Sequence, residues 1–122
     1  MPGVDERPPV WVGHIVMYSA DVARAASFWA TIGMREIFLG DEISIFELRG
    51  GTHLLVFPGE PAAEAPFDLM VDDLDATRAR LADAGLDVSD VSTESNHRAF
   101  TVCDPDGATV TIRDSHVGNA PV

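Results

Sequence analysis

Three observations on this 122-residue chain predict an α+β fold made of two βαβββ modules in tandem. Two helix-period segments recur 52 residues apart, each opening on an aspartate (Asp21, Asp73) and closing on a glycine (Gly33, Gly85). Each is preceded by one apolar, strand-like segment and followed by three more. Each set of three ends in a hairpin with glycine in its turn. Self-similarity at a fixed offset is what a duplicated supersecondary unit leaves in a sequence.

The elements follow in order. "VWVGHIVMYS", residues 10–19, reads as the first strand. Asp21 then suits an N-cap, because its carboxylate accepts the free N–H groups of a first helical turn. Val22, Ala25, Ala26, Trp29 and Ile32 recur on one face of the helix it opens. Gly33 suits the position just past the helix, where φ is positive. "REIFLG", "ISIFELR" and "THLLVFP" complete the module, the last two joined across Gly50 and Gly51 in a tight hairpin. "PGEPAAEAP", residues 58–66, is too rich in Pro and Ala for a strand and reads as the linker. The second module repeats the order with "PFDLMV" and a helix carrying Leu74, Thr77, Leu81 and Ala84 on one face, then "DVSDVS", "HRAFTVC" and "ATVTIRD". "DPDG", residues 104–107, places Asp, Pro and Gly where a type I turn wants them. The expectation is one domain over residues 10–114, with modules at about 10–58 and 66–114 and tails at 1–9 and 117–122. Two mixed sheets, each covered by a helix on one face, hide their other faces by curving toward each other around a cleft.

Composition narrows the partners. Twenty acids against eight bases, all arginine, leave a formal charge of −12. Nucleic acid needs a cationic surface, so it is excluded as a partner. The same balance disfavours anionic membrane surfaces and favours cationic or neutral small partners. No apolar run approaches a membrane span. "MPGVDERPP" has acids and prolines where a signal peptide needs a basic start, so a cytoplasmic address is expected. Cys103 stands alone, which rules out an intrachain disulfide and a multi-cysteine zinc site and leaves it a packing role.

The ordered set resembles the vicinal-oxygen-chelate superfamily, which includes glyoxalase I, extradiol dioxygenases, fosfomycin-resistance enzymes and bleomycin-resistance proteins. The residues that carry the resemblance are the His14-to-Asp21 spacing, Phe28-Trp29 ahead of Gly33, "VDDLDA" at 71–76 and the terminal "DPDG" hairpin, over roughly residues 10–114. The resemblance implies a cleft in which metal-using members hold a cation on about four side chains, one from the first and last strand of each module. Those positions here are His14, Leu55, Pro66 and Thr111. Catalytic zinc sites usually keep three protein ligands, so one histidine reads as the remnant of a lost site. The resemblance also implies a homodimer, often with each cleft shared between chains.

With His14 and Thr111 taken as facing the cleft, strand alternation assigns its wall. Val12, His14 and Val16 share that face on the first strand, which sends Trp11 to the other side, under a helix or at a subunit contact. His53, Leu55 and Phe57 share it on the fourth strand, and hairpin pairing adds Phe46 and Leu48. The second module adds Asp68 and Met70, then Arg98, Phe100, Val102, Thr109, Thr111 and Arg113. Such a wall is mostly apolar and aromatic with few polar groups, as in small-molecule pockets. The expected function is metal-independent and cofactor-free sequestration of a planar or cationic compound, with Asp68 meeting the cation.

An enzyme is the rival expectation. His14, His53 and Asp68 could form a three-ligand site for a divalent transition metal in a lyase, isomerase or dioxygenase. His14 could instead act as a metal-free general base. His97 is expected to face a helix or solvent and His116 to belong to the tail. Arg98 and Arg113, neighbours across the final hairpin, could clamp an anion or pair with surface acids.

Overall fold

The computed structural model describes residues 4–122. In chain order it contains β1 (His14–Ser19), α1 (Val22–Ile32), β2 (Arg35–Phe38), β3 (Ser44–Glu47), β4 (His53–Pro58), β5 (Glu64–Val71), α2 (Leu74–Asp83), β6 (Ser92–Thr93), β7 (Arg98–Cys103) and β8 (Thr109–Asp114). The first sheet has the order β1-β4-β3-β2 and the second β5-β8-β7-β6, so the two modules share one topology. In each, the first strand runs parallel to the last and the remaining neighbours are antiparallel. Of the N-terminal tail, residues 1–3 lie outside the described residues.

The predicted caps are in place. Asp21 Oδ1 accepts the Arg24 N–H at 3.1 Å, and Asp73 Oδ1 accepts that of Ala76 at 3.0 Å. Gly33 ends α1 at φ 127°, a conformation side chains rarely tolerate. Each helix lays its apolar face on one side of one sheet. Val22, Ala25 and Trp29 of α1 pack with Met17, Phe46, Leu54 and Val56, while Leu74 and Leu81 of α2 pack with Leu69, Phe100, Val102, Val110 and Ile112. Phe28 meets Trp29 edge to face at 4.8 Å. Ala84 falls outside the buried face of α2.

Side chains on the helix side also join the modules. The Trp29 ring lies 6.1 Å from that of Phe67 on β5. Arg80 of α2 donates to Thr31 O and Ile32 O at 2.7 Å each, placing a cation on the C-terminal carbonyls of α1. Asp106, in the β7–β8 hairpin, accepts from Ser19 Oγ at 2.6 Å and from the Ala20 N–H at 3.2 Å.

Three expectations need correction. The presumed linker enters β5, which begins at Glu64. Pro66 is tolerated there because β5 is an edge strand with an irregular register between Glu64 and Asp68. "DVSDVS" is not a full strand: Val88 makes an isolated bridge to Val102, and β6 covers two residues, Ser92 and Thr93. The third correction is register. A two-residue turn at Gly50-Gly51 would set Phe46 opposite Leu55. The hairpin instead closes on Leu48 N–H to Thr52 O (2.8 Å) with three residues between, and Leu55 faces Ile45. The "DPDG" hairpin repeats this shift, closing on Asp104 N–H to Ala108 O (2.9 Å), with Gly107 at φ 86° as the left-handed third residue. A slip of one residue sends every side chain of a strand to the opposite face, so β3 and β7 are both inverted relative to expectation.

Candidate functional site

Each sheet has one face packed on its helix and one face free of it. Along β1 and β4 the buried residues are Met17, Ser19, Leu54 and Val56, which turns His14, Val16, Tyr18, His53, Leu55 and Phe57 to the free, inner face. Ile45 and Glu47 join them from β3. On the second sheet Asp68, Met70, Thr109, Thr111 and Arg113 occupy the inner face, with Ala99, Thr101 and Cys103 from β7.

Ten predicted wall residues therefore stand on the expected face: His14, Val16, His53, Leu55, Phe57, Asp68, Met70, Thr109, Thr111 and Arg113. Val12 is exposed and precedes β1, and its carbonyl accepts from Thr52 Oγ1. Phe46, Phe100 and Val102 are not on the wall; they are buried in the core beneath the helices. Leu48 likewise packs half-buried against that core. Ala99, not Arg98, stands across from Arg113; Arg98 is on the opposite face, where its guanidinium pairs with both carboxylate oxygens of Asp75 in the first turn of α2. This pairing holds the Asp75 carboxyl below its usual range. Trp11 is not under a helix: it is 68% exposed.

The inner face of the first module is apolar and aromatic around one polar chain. Tyr18 and Phe57 stand 6.3 Å apart, ring to ring. His53 Nε2 lies 3.1 Å from Glu47 Oε2, and the other oxygen of Glu47 accepts from Arg35 Nη1 at 2.9 Å. His14 stands beside His53, with ring centroids 6.2 Å apart. The second module carries a different set. Arg113 donates to Asp68 at 2.6 Å and to Glu94 at 3.1 Å, and these two carboxylates raise its pKa further. Asp68 is thus already partnered by a cation of its own sheet. Burial, with Asp87 adding to it, pushes the Cys103 thiol up, away from the thiolate a nucleophile requires. On the helix side, His97 Nδ1 approaches Asp114 Oδ1 at 3.0 Å and its ring lies 5.3 Å from that of His116.

The donor set does not fit a resident divalent metal. Of the four positions the resemblance marks, Leu55 and Pro66 have no side-chain donor and Thr111 has a neutral hydroxyl, leaving one imidazole on His14. A divalent ion needs several N, O or S ligands converging on it. The predicted trio of His14, His53 and Asp68 is not gathered either. Among the described residues, no three His, Cys, Asp or Glu side chains form a group that could hold a metal.

Sequence reasoning missed Tyr18, Ile45, Glu47 and Thr101. Tyr18 follows from simple alternation with His14 and Val16. The other three required the loop length of each hairpin, for which Gly107 after "DPD" was the readable sign.

Comparison with known proteins agrees with this architecture. The profile of a glyoxalase-like domain matches residues 14–113. No curated protein matches the chain. Among solved structures, a lactoylglutathione lyase from Agrobacterium tumefaciens is similar at a TM-score of 0.73 and 20% identity, covering 89% of this chain and 96% of that one. The bleomycin-binding protein of Streptomyces verticillus, solved with copper(II)-bleomycin, is similar at 0.73 and 23%, covering 90% and 100%. A glyoxalase/bleomycin resistance protein/dioxygenase superfamily member from Sphaerobacter thermophilus gives 0.75 and 18%, covering 87% and 98%. At these identities the likeness is one of fold. Among the described residues no helix is long and apolar enough to cross a membrane.

Proposed function

The chain belongs to the glyoxalase-like family, and from that premise we propose that it is a metal-independent binding protein that sequesters a small planar or cationic molecule on the inner faces of its two sheets. One observation carries this reading: the positions where metal-using relatives would place ligands hold Leu55, Pro66 and Thr111, while Val16, Tyr18, Ile45, Leu55 and Phe57 form an apolar, aromatic wall. Flat rings offer stacking area at low entropic cost, and a chain of net charge −12 attracts cations over anions.

The working state in this proposal is a cytoplasmic homodimer. Tyr18 at 52% exposure and Met70 at 46% leave apolar surface on the inner faces that a second copy would cover. Sedimentation velocity should then give a dimer.

A thermal-shift screen in EDTA tests the binding reading, with planar cations, neutral aromatics and metal-free bleomycin as first compounds. Bleomycin is included because the Streptomyces verticillus protein, similar in fold, binds it. A hit should persist in EDTA and weaken by about tenfold or more, ~1.4 kcal/mol, in Leu55→Arg, which sets a cation on the wall. Binding that requires an added divalent metal would overturn the proposal.

A further inference from the structure

A cavity of about 620 Å³ lies away from the Leu55 wall, where the end of β5 and the start of α2 meet the β3–β4 hairpin. Ile32, Met34, Leu48, Leu69, Val71 and Val117 supply most of its apolar lining. Its size falls within the range of small-molecule sites.

The two junctions between the modules are held differently. The register of the two hairpins makes Gly50 the counterpart of Asp106, and the two caps make Asp72 the counterpart of Ala20. At the first junction the Asp106 side chain bridges to Ser19 and Ala20, and Arg24 donates to Pro105 O. At the second, Gly50 has no side chain, and a Cβ built on it would meet nothing within 4 Å. The junction is instead spanned at its rim by Arg49, which pairs with Asp72 at 2.7 Å. The other rim charges are engaged too: Asp73 caps α2, and Asp68 holds Arg113. Among the described residues every charged side chain at this rim is engaged, and the net charge of −12 repels anions.

We infer that this cavity, which reaches Asp68 and Met70 at the edge of the second sheet but none of the first module's apolar wall, is a second binding site for a small neutral apolar molecule. The hydrophobic effect drives entry, since the ligand removes its own apolar surface and that of the lining from water.

Labelled methionine methyl groups provide the readout, because Met34 and Met70 line the cavity while Met17 sits in the first core. The probe is N-phenyl-1-naphthylamine, a neutral aromatic that fluoresces in apolar surroundings. Titrated into the full chain, it should give a saturable fluorescence rise with a shift of Met34, which is not on the inner face, and none of Met17. Thr77→Trp and Val117→Trp fill the cavity from different elements, and each should abolish both signals. Leu55→Arg should leave them unchanged, which keeps this test separate from that of the inner-face proposal. An unmoved Met34 at saturating probe overturns the inference. So does probe binding that is lost in Leu55→Arg, or a Met34 shift that follows protein concentration without probe, which would mean a second copy fills the space.

Discussion

The two modules share a scaffold and differ in what they present on it. Their cores correspond position by position: Phe46 with Val102, Leu54 with Val110, Val56 with Ile112 and Trp29 with Leu81, all buried between helix and sheet. Their inner faces do not. Leu55 corresponds to Thr111, Ile45 to Thr101, Phe57 to Arg113 and Val16 to Asp68. A buried position must fill a volume fixed by its neighbours, and close packing penalises any misfit. An inner-face position has no helix against it and is free to take on chemistry. The lesson is that the differences between duplicated units, more than their likenesses, point to the working surface. In the proposed function that surface is one apolar, aromatic wall beside one polar, ion-paired wall.

The largest effect should test which faces of β3 and β7 lie in the cores. Phe46→Ala and Phe100→Ala, each removing a buried ring, should each cost about 3–5 kcal/mol in denaturant unfolding. A small cost at either would mean that its strand is turned the other way.

A smaller effect sharpens the contrast at the hairpins. Asp104, buried in the second, accepts the Asp106 and Ala108 N–H groups on Oδ1 at 2.9 and 2.8 Å, where the first hairpin has Leu48. Asp104→Ala should cost about 1–3 kcal/mol by orphaning those donors. Asp104→Asn keeps an acceptor oxygen and removes the charge. Burial raises the folded carboxyl above its ordinary value of 3.8. Its stabilising contribution is therefore full below the unfolded pKa and lost as pH rises through the folded one. An amide does not titrate, so Asp104→Asn should gain on the parent as pH climbs above 3.8. A difference that does not vary with pH would contradict that placement.

The inner faces should respond least. Thr111→Ala should stay within about 0.5 kcal/mol of the parent, as surface changes usually do. On the helix side, Arg98→Ala breaks only an exposed pair with Asp75, and its unfolding midpoint should match the parent within error.

Much of this architecture was readable in the chain. Asp21 and Asp73 announce both helices because a cap is a local interaction, and the 52-residue offset carries the rest of the topology. Alternation placed the walls of β1, β4, β5 and β8, anchored on His14 and Thr111. It failed on β3 and β7 for one reason, twice. Parity passes through a hairpin only if the loop length is known, and Gly50-Gly51 reads equally well as a two-residue turn or as part of a three-residue loop. Pro66 misled differently: proline argues against a central strand, but β5 is an edge. The junction cavity was not legible at all, since it depends on how the modules sit together.

The central claim is that the inner face binds its ligand without a resident metal. Metal content by mass spectrometry tests it most directly, on protein purified without chelator or affinity metal, then incubated with zinc, nickel, manganese and iron(II), with His14→Ala alongside. The account predicts far less than one metal per chain and no difference between parent and variant. Near-stoichiometric metal in the parent, lost in His14→Ala, would contradict it.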